Sequence, residues 1–350
     1  MASFLGQALA ATELVVVSWG GAYTASQQNA YHAPYMKKNP GIPFEKDILN
    51  DIRVNLSAVE RRCSSLLGRR TVKKKNQAIW LLNAISLIDL TTLSGDDTED
   101  RVMRLCSKAQ KPLNSHLMNS LELNNEKLEV GAVCVYHQMV KSASRFLENT
   151  SIPVAAVSTG FPAGLTPHKI KILEIKESIK QGASEIDIVI SRRHVLNGNW
   201  KKLYDEVTDY RDACGNVCLK TILATGELGT LRNIAKASWV CMMAGADFIK
   251  TSTGKEKINA TLPFSLVMIR AIRDYHDLTG RKIGYKPAGG ISTAKDCLSY
   301  MMLMKEELGE EWICPSLFRF GASSLLSDIE RQLDHFVTGK YSAFNRHGIT

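Results

Sequence analysis

The sequence predicts a (β/α)8 barrel with an N-terminal helical extension, and three observations predict it. From residue 80 onward, eight short β-rich runs recur at a mean spacing of about 30 residues, separated by longer amphipathic runs. Glycines close the helical runs: Gly182 follows Gln181, Gly245 follows Ala244, and Gly280 and Gly309 end two more. Charged residues also sit inside otherwise apolar strands, where an open sheet covered on both faces would bury them against apolar helices. A doubly wound sheet would usually carry a Gly-x-Gly-x-x-Gly turn after its first strand; here that strand runs into Leu-Thr-Thr-Leu-Ser-Gly. The barrel is the better reading.

In chain order, residues 1–45 read as a loosely ordered extension. Their apolar stretch from Leu5 to Trp19 is interrupted by Glu13, and the first Lys or Arg is Lys37. A signal peptide needs a basic start and a transit peptide needs Arg, so neither fits. No segment reaches the roughly 18 apolar residues of a membrane span. The expectation is a cytoplasmic protein without a membrane partner. Residues 46–350 form the barrel together with its N-terminal helices. Expected strands are Ile85–Leu90, Val130–Tyr136, Val154–Thr159, Glu185–Ile190, Cys218–Leu223, Asp247–Thr251, Lys282–Lys286 and Leu317–Phe320. Expected helices include Thr98–Ala109, Pro167–Gln181, Trp200–Ala213, Leu228–Ala244, Leu262–Leu278 and Ala294–Leu308.

Alternation along the strands assigns their faces. In Glu185-Ile-Asp-Ile-Val-Ile190, the three isoleucines share the helix-covered face and Asp187 turns into the barrel. The same rule sets Lys220 opposite Leu219 and Thr221, Lys250 opposite Ile249, and Lys286 opposite Ile283 and Tyr285. Asp89 also turns inward.

Composition narrows the function classes. The 350 residues are 45% hydrophobic and 23% charged, which excludes disordered, collagen-like and low-complexity chains. Eight scattered cysteines without a Cys-x-x-Cys pair read as free thiols in a reducing compartment. The net charge is +9, and residues 1–80 supply most of it, with 11 Lys and Arg against 5 Asp and Glu. The cluster Arg61, Arg62, Arg69, Arg70, Lys73, Lys74 and Lys75 reads first as a solvated helical face, because few aromatics interleave with it. RNA or another acidic partner is the alternative.

Four elements converge on the C-terminal rim of the strands, where barrel active sites lie. Lys250 and Lys286 end adjacent strands six and seven. One ammonium and burial together can depress the other amine enough to leave it free for attack on a carbonyl; binding substrate phosphate or pairing with carboxylates is the equal alternative. Asp187 and Asp89 face inward, Asp187 as a proton carrier or a counter-ion and Asp89 as a structural group or hydroxyl binder. Gly289-Gly290 after strand seven and Gly321-Ala-Ser323-Ser324 after strand eight suit a phosphate, which takes backbone N–H groups and a helix N-terminus; a plain serine N-cap is the alternative. The turn Thr251-Ser-Thr-Gly-Lys255 adds a cation within reach of phosphate, and Thr251 or Thr253 as a hydroxyl or water partner. His116, His137, His168 and His194 stand alone, without zinc spacing.

These strings, in this order, resemble the deoxyribose-phosphate aldolases: Leu87-Ile-Asp-Leu-Thr-Thr, Glu185-Ile-Asp-Ile-Val-Ile, Thr225-Gly-Glu-Leu, Phe248-Ile-Lys-Thr-Ser-Thr-Gly-Lys, Lys286-Pro-Ala-Gly-Gly and Phe320-Gly-Ala-Ser-Ser-Leu-Leu. The resemblance covers about residues 50–345 and is nearer to animal members than to short bacterial ones. It implies a metal-independent class I aldolase of deoxyribonucleotide catabolism that needs no cofactor and takes a phosphosugar and acetaldehyde, with a homo-oligomer as an accompanying expectation. By resemblance Lys250 is the Schiff-base lysine, and Asp187 and Lys286 are the proton donor and acceptor pair. Lys255, Gly289, Gly290, Ser323 and Ser324 surround the phosphate, and Asp89 and Thr91 lie near the substrate hydroxyls. Two departures stand out. His137 follows Tyr136 where a proline is common, and Gly348-Ile-Thr350 lacks the terminal tyrosine of some bacterial members, which makes Tyr341 a candidate substitute. Another phosphosugar barrel enzyme, an aldolase for a 2-keto sugar phosphate or an isomerase, is the rival reading.

Overall fold

Eight parallel strands follow one another around a ring: β1 (Ile88–Thr91), β2 (Ala132–Tyr136), β3 (Val154–Ser158), β4 (Glu185–Val189), β5 (Cys218–Ile222), β6 (Phe248–Lys250), β7 (Gly284–Lys286) and β8 (Phe320–Ala322). Strand β8 pairs with β1, and bridges at Tyr285–Phe318 and Ala288–Gly321 join the β7 and β8 segments. The chain is therefore a (β/α)8 barrel. The structure, a computed structural model, describes residues 40–69 and 71–347.

Thirteen helices lie among the described residues. Three precede the barrel: α1 (Lys46–Asp51), α2 (Leu56–Arg69) and α3 (Lys74–Ser86). The others are α4 (Glu99–Gln110), α5 (Ser115–Ser120), α6 (Val140–Phe146), α7 (His168–Lys180), α8 (Arg192–Leu196), α9 (Trp200–Cys214), α10 (Leu231–Met243), α11 (Leu262–Thr279), α12 (Ala294–Leu308) and α13 (Leu325–Thr338). Threonine hydroxyls set several starts. Thr98, Thr230, Thr261 and Thr293 each accept a hydrogen bond from the backbone three residues on, satisfying an otherwise unpaired first-turn N–H. That cap is why α10 begins at Leu231 rather than at the expected Leu228. Gly280 ends α11 in the left-handed conformation at φ 71°, which an L side chain resists.

Several strand ends shift from their expected places, those of β1 and β8 for clear reasons. Ile85 and Ser86 belong to α3, where Ile85 continues the buried face with Ala78, Leu81 and Ala84. The expected strand at Leu317–Phe320 lies later, at Phe320–Ala322, because residues 317–319 bond across to the β7 backbone, as in Arg319 N–H to Tyr285 O at 3.1 Å.

The expected extension falls outside the described residues as far as residue 39. Residues 40–45 are seated on the barrel: Ile42 N–H donates to Met243 O at 2.8 Å and the Tyr204 hydroxyl donates to Ile42 O at 2.9 Å. Part of the basic cluster is internal to the fold. Arg62 pairs with Glu306 and Glu307 of α12, each at 2.9 Å, while Arg61, Lys73, Lys74 and Lys75 are exposed. All eight cysteines are free thiols. Among the described residues no helix is long and apolar enough to cross a membrane.

Candidate active site

Register places the inward-facing side chains in layers. Asp187 pairs with Lys220, and Lys220 with Phe248; one pleat higher, Val189 pairs with Ile222, Ile222 with Lys250, and Lys250 with Lys286. Partnered residues on neighbouring strands point to the same side, so the expected inward orientation of Asp187, Lys220, Lys250 and Lys286 follows. Small residues make the room. A Cβ on Gly321 would lie 3.3 Å from Lys286 Cε, and one on Gly284 would strike the Phe248 ring.

These groups form one buried charge network. Asp187 Oδ2 accepts from Lys250 Nζ and Lys286 Nζ, both at 2.7 Å, and Oδ1 accepts from Lys220 Nζ at 3.1 Å. Lys286 also donates to Asp89, and Lys220 donates to Glu185 and lies 3.6 Å from Asp89. Beneath them Arg319 donates to Asp89 at 2.6 Å and to Glu185 at 3.1 Å. Four cations thus face three carboxylates. Lys220 meets three of the carboxylates, Lys286 two and Arg319 two; Lys250 meets Asp187 alone.

The titration of each group follows from those partners. Burial works against the charge on Asp187, yet the Lys220, Lys250 and Lys286 ammoniums outweigh it and hold the carboxyl well below its usual range. Asp89 is likewise held down against burial by Lys286, Arg319 and Lys220. Lys220 and Lys286 go up, since their carboxylates outweigh the burial that opposes them. Lys250 alone goes down. Burial is the largest cause and Lys286 adds to it, while Asp187 opposes. The depression expected from a neighbouring ammonium is therefore present but secondary to burial.

The opposite wall carries no charge. Cys134, Ala155 and Val157 of β2 and β3 form a separate apolar cluster, with Leu93, Tyr136 and Phe161 packed over it. Burial raises the Cys134 thiol pKa, so it stays neutral.

At the rim, the turns after β6, β7 and β8 meet. A Cβ on Gly254 would lie 3.9 Å from Gly289 Cα, and Gly321 N–H donates to Pro287 O at 2.9 Å. Lys255, Gly290, Ser323 and Ser324 are exposed there, and Gly289 is half-buried beside them. Ser324 occupies the N-cap position of α13 without a side-chain cap bond, so its hydroxyl is not spent on the helix. A Cβ on Gly289 would fall 2.7 Å from Asn259, which explains the glycine.

Some expectations change. Thr251 braces β6 to β7, accepting from Ala288 N–H at 2.9 Å, and the Thr253 hydroxyl donates to Glu256 at 2.8 Å. Neither hydroxyl is left for a ligand, whereas the Ser252 hydroxyl is buried without a partner. Thr91 faces inward beyond Asp89 and donates to the Asp89 carbonyl at 2.7 Å. Tyr341 stacks on His335, at 4.1 Å between ring centroids, near the end of α13 remote from Ser324. His168 is not alone: it pairs with Asp209 at 2.9 Å. Among the described residues no group of His, Cys, Asp and Glu is placed to hold a metal ion. Sequence reasoning gave no role to Lys220, Glu185 or Arg319. Alternation had already turned Lys220 inward, and Glu185 lies two residues before Asp187 on the same face.

Proteins similar to this chain are aldolases. Residues 83–329 match the family model described as DeoC/LacD family aldolase. The chain is 55% identical over 307 residues to a mouse deoxyribose-phosphate aldolase, covering 87% of this chain and 96% of that protein. The human deoxyribose-phosphate aldolase is 54% identical, with 88% and 97% covered. A solved structure described as a putative deoxyribose-phosphate aldolase from Toxoplasma gondii shares the fold at a TM-score of 0.63 and 21% identity, with 79% of this chain and all of that one covered. By the family match and these relatives, the chain belongs to the DeoC/LacD family of aldolases.

Proposed function

We propose that the chain reversibly cleaves 2-deoxy-D-ribose 5-phosphate to glyceraldehyde 3-phosphate and acetaldehyde, in deoxyribonucleotide catabolism, through an imine on Lys250. One observation carries the assignment: in a network of seven charges, Lys250 is the cation with a single carboxylate partner and a depressed pKa. It is also 3% exposed where Lys220 and Lys286 are 0%.

The neutral Lys250 amine adds to the C1 aldehyde, and loss of water from the carbinolamine leaves a protonated imine. The C3 hydroxyl then gives up its proton, the C2–C3 bond breaks, and its electron pair passes through C2 and C1 to the iminium nitrogen, leaving an enamine. Glyceraldehyde 3-phosphate departs. Protonation of the enamine at C2 and hydrolysis release acetaldehyde and regenerate the amine. Asp187 and Lys286 flank Lys250 and carry the protons, through water where they do not touch the substrate. The Cys134, Ala155 and Val157 wall suits a carbon without a hydroxyl, in keeping with a 2-deoxy substrate. Lys255, Gly289, Gly290, Ser323 and Ser324 hold the phosphate, and Asp89 and Thr91 lie toward the sugar hydroxyls. A reducing cytoplasmic setting accords with eight free thiols. A homo-oligomer is in keeping with the Aeropyrum pernix deoxyribose phosphate aldolase described as tetrameric.

Borohydride reduction with acetaldehyde should leave a stable adduct on Lys250, located by peptide mass spectrometry, and inactivate the enzyme. Lys250→Arg keeps the charge and cannot form the imine, so adduct and cleavage should vanish together, with a loss of at least about a thousandfold. Cleavage surviving in that variant with no adduct anywhere would overturn the imine mechanism.

A further inference from the structure

We infer that Arg319, at the floor of the barrel, is a positioning residue for catalysis: by holding Asp89 and Glu185 from below, it keeps Asp187 shared among three lysines and leaves Lys250 the under-partnered amine. The inference rests on Lys250 as the imine lysine. Arg319 bonds Asp89, Glu185 at the first position of β4 and the Pro315 carbonyl, none of them the imine lysine, so it acts through other groups.

The geometry is that of a built support. The two Arg319 Nη atoms reach different carboxylates, Asp89 Oδ1 at 2.6 Å and Glu185 Oε1 at 3.1 Å, and Nε is fixed by the Pro315 carbonyl. A planar fork can serve two carboxylates at once where an ammonium is a single point. Gly131 makes space for it: a Cβ there would lie 3.2 Å from Arg319 Cδ. The groups facing Arg319 are Asp89 from β1, Glu185 from β4, and Lys220 and Cys218 from β5; those facing Lys250 are Asp187 from β4, Lys286 from β7 and Cys134 from β2. Both thiols are raised by burial and stay neutral.

Charge conservation within the network links the floor to the rim. With Arg319 present, four cations face three carboxylates, and the surplus weighs most on the amine with the fewest partners, whose pKa is lowered. Without Arg319, three carboxylates face three lysines. Asp89 and Glu185 then draw Lys286 and Lys220 down to themselves, Asp187 falls to Lys250, and the Lys250 ammonium becomes a fully paired ion. The imine lysine is then protonated over a wider pH range and reacts only at higher pH.

The test is the pH dependence of kcat/KM for cleavage, read alongside the rate of borohydride trapping with acetaldehyde. Arg319→Met should move the acid limb of both profiles upward by about one unit, a tenfold loss on that limb that alkaline pH recovers. Arg319→Lys restores the charge but not both contacts, and should move it less. Glu185→Gln removes a carboxylate and should move the limb the opposite way, and the double variant Arg319→Met with Glu185→Gln should return close to the parent. A purely structural Arg319 would lower the rate by one factor at every pH and leave the limb in place; that result overturns the inference. If Arg319→Met does not fold, Glu185→Gln alone decides, since an unmoved limb there overturns it equally. An adduct on a lysine other than Lys250 overturns the site assignment and this inference with it, whereas an adduct on Lys250 with unmoved limbs overturns Arg319 alone.

Discussion

The two walls of the barrel interior come from the same alternating strands and carry opposite chemistry. On β1, β4–β7 and the segment just before β8 the inward positions include Asp89, Glu185, Asp187, Lys220, Lys250, Lys286 and Arg319, tied into a single network. On β2 and β3 they hold Cys134, Ala155 and Val157, which only pack. The difference explains how the pKa of one lysine is lowered among several. The apolar wall keeps water from the charges, so burial penalises every ion; the charged wall then repays that penalty to each ion in proportion to its partners. Lys220 and Lys286 are repaid by two or three carboxylates and stay charged. Lys250, with one, is not.

The largest expected effect comes from breaking the charged wall beside Lys250. Lys286→Leu removes an ammonium that depresses Lys250 and leaves Asp187 Oδ2 to Lys250 alone among the rim amines. It also removes the proposed proton carrier. Cleavage should fall by about 100- to 10,000-fold, and the acid limb of kcat/KM should shift to higher pH. A loss with no shift would confine Lys286 to moving protons.

A second variant pair sets catalysis against stability within that wall. Lys220→Met leaves Glu185, Asp187 and Asp89 each short of a partner and should cost about 3–5 kcal/mol, read as a lower Tm. Lys250→Met should abolish activity yet leave Tm unchanged or raise it. The pH dependences have opposite signs. The folded pKa of Lys220 is raised, so its stabilising contribution is complete below the unfolded lysine value of about 10.4 and fades as pH rises through the folded value. The folded pKa of Lys250 is lowered, so its ammonium penalises the folded state at low pH and ceases to do so as pH climbs toward the unfolded value. The gain from Lys250→Met should therefore be largest on the acid side. Equal Tm losses in both variants would mean that the partner count does not set the balance.

The comparison also marks what the sequence could reveal. Period-two alternation placed Asp187, Lys220, Lys250 and Lys286 inside, because a strand has only two faces and the isoleucines claim one of them. Glycine closures gave the helix ends because left-handed caps are a local property. Partner identity was not legible. Asp89 and Arg319 lie 230 residues apart, and their contact depends on the register of β8 against β1, where the expected strand itself was misplaced. The spending of Thr251 was hidden for the same reason, since Ala288 approaches it only once β6 and β7 lie side by side, whereas Thr253 is held by Glu256 three residues on. Rim glycines and serines could be read as an anion site from their positions after strands seven and eight, a consequence of barrel topology.

The mildest perturbation lies beyond both walls, at the mouth. Ser324 is exposed at the N-cap of α13 and makes no side-chain cap bond. A carboxylate there suits the helix, whose N-terminal dipole favours negative charge by about 0.3–1 kcal/mol, so Ser324→Asp should fold as well as the parent. It is poorly suited to a phosphate dianion at the same place. KM for 2-deoxyribose 5-phosphate should rise by about ten- to a hundredfold, corresponding to 1.4–2.8 kcal/mol of lost binding. The charged wall is untouched, so acetaldehyde trapping on Lys250 and the pH limbs should not move. Unphosphorylated 2-deoxyribose supplies the control: it has no anion to repel, and its kcat/KM should stay within a factor of about two. Equal losses for both sugars would place the phosphate elsewhere and make the rim serines part of the machinery that positions the sugar itself.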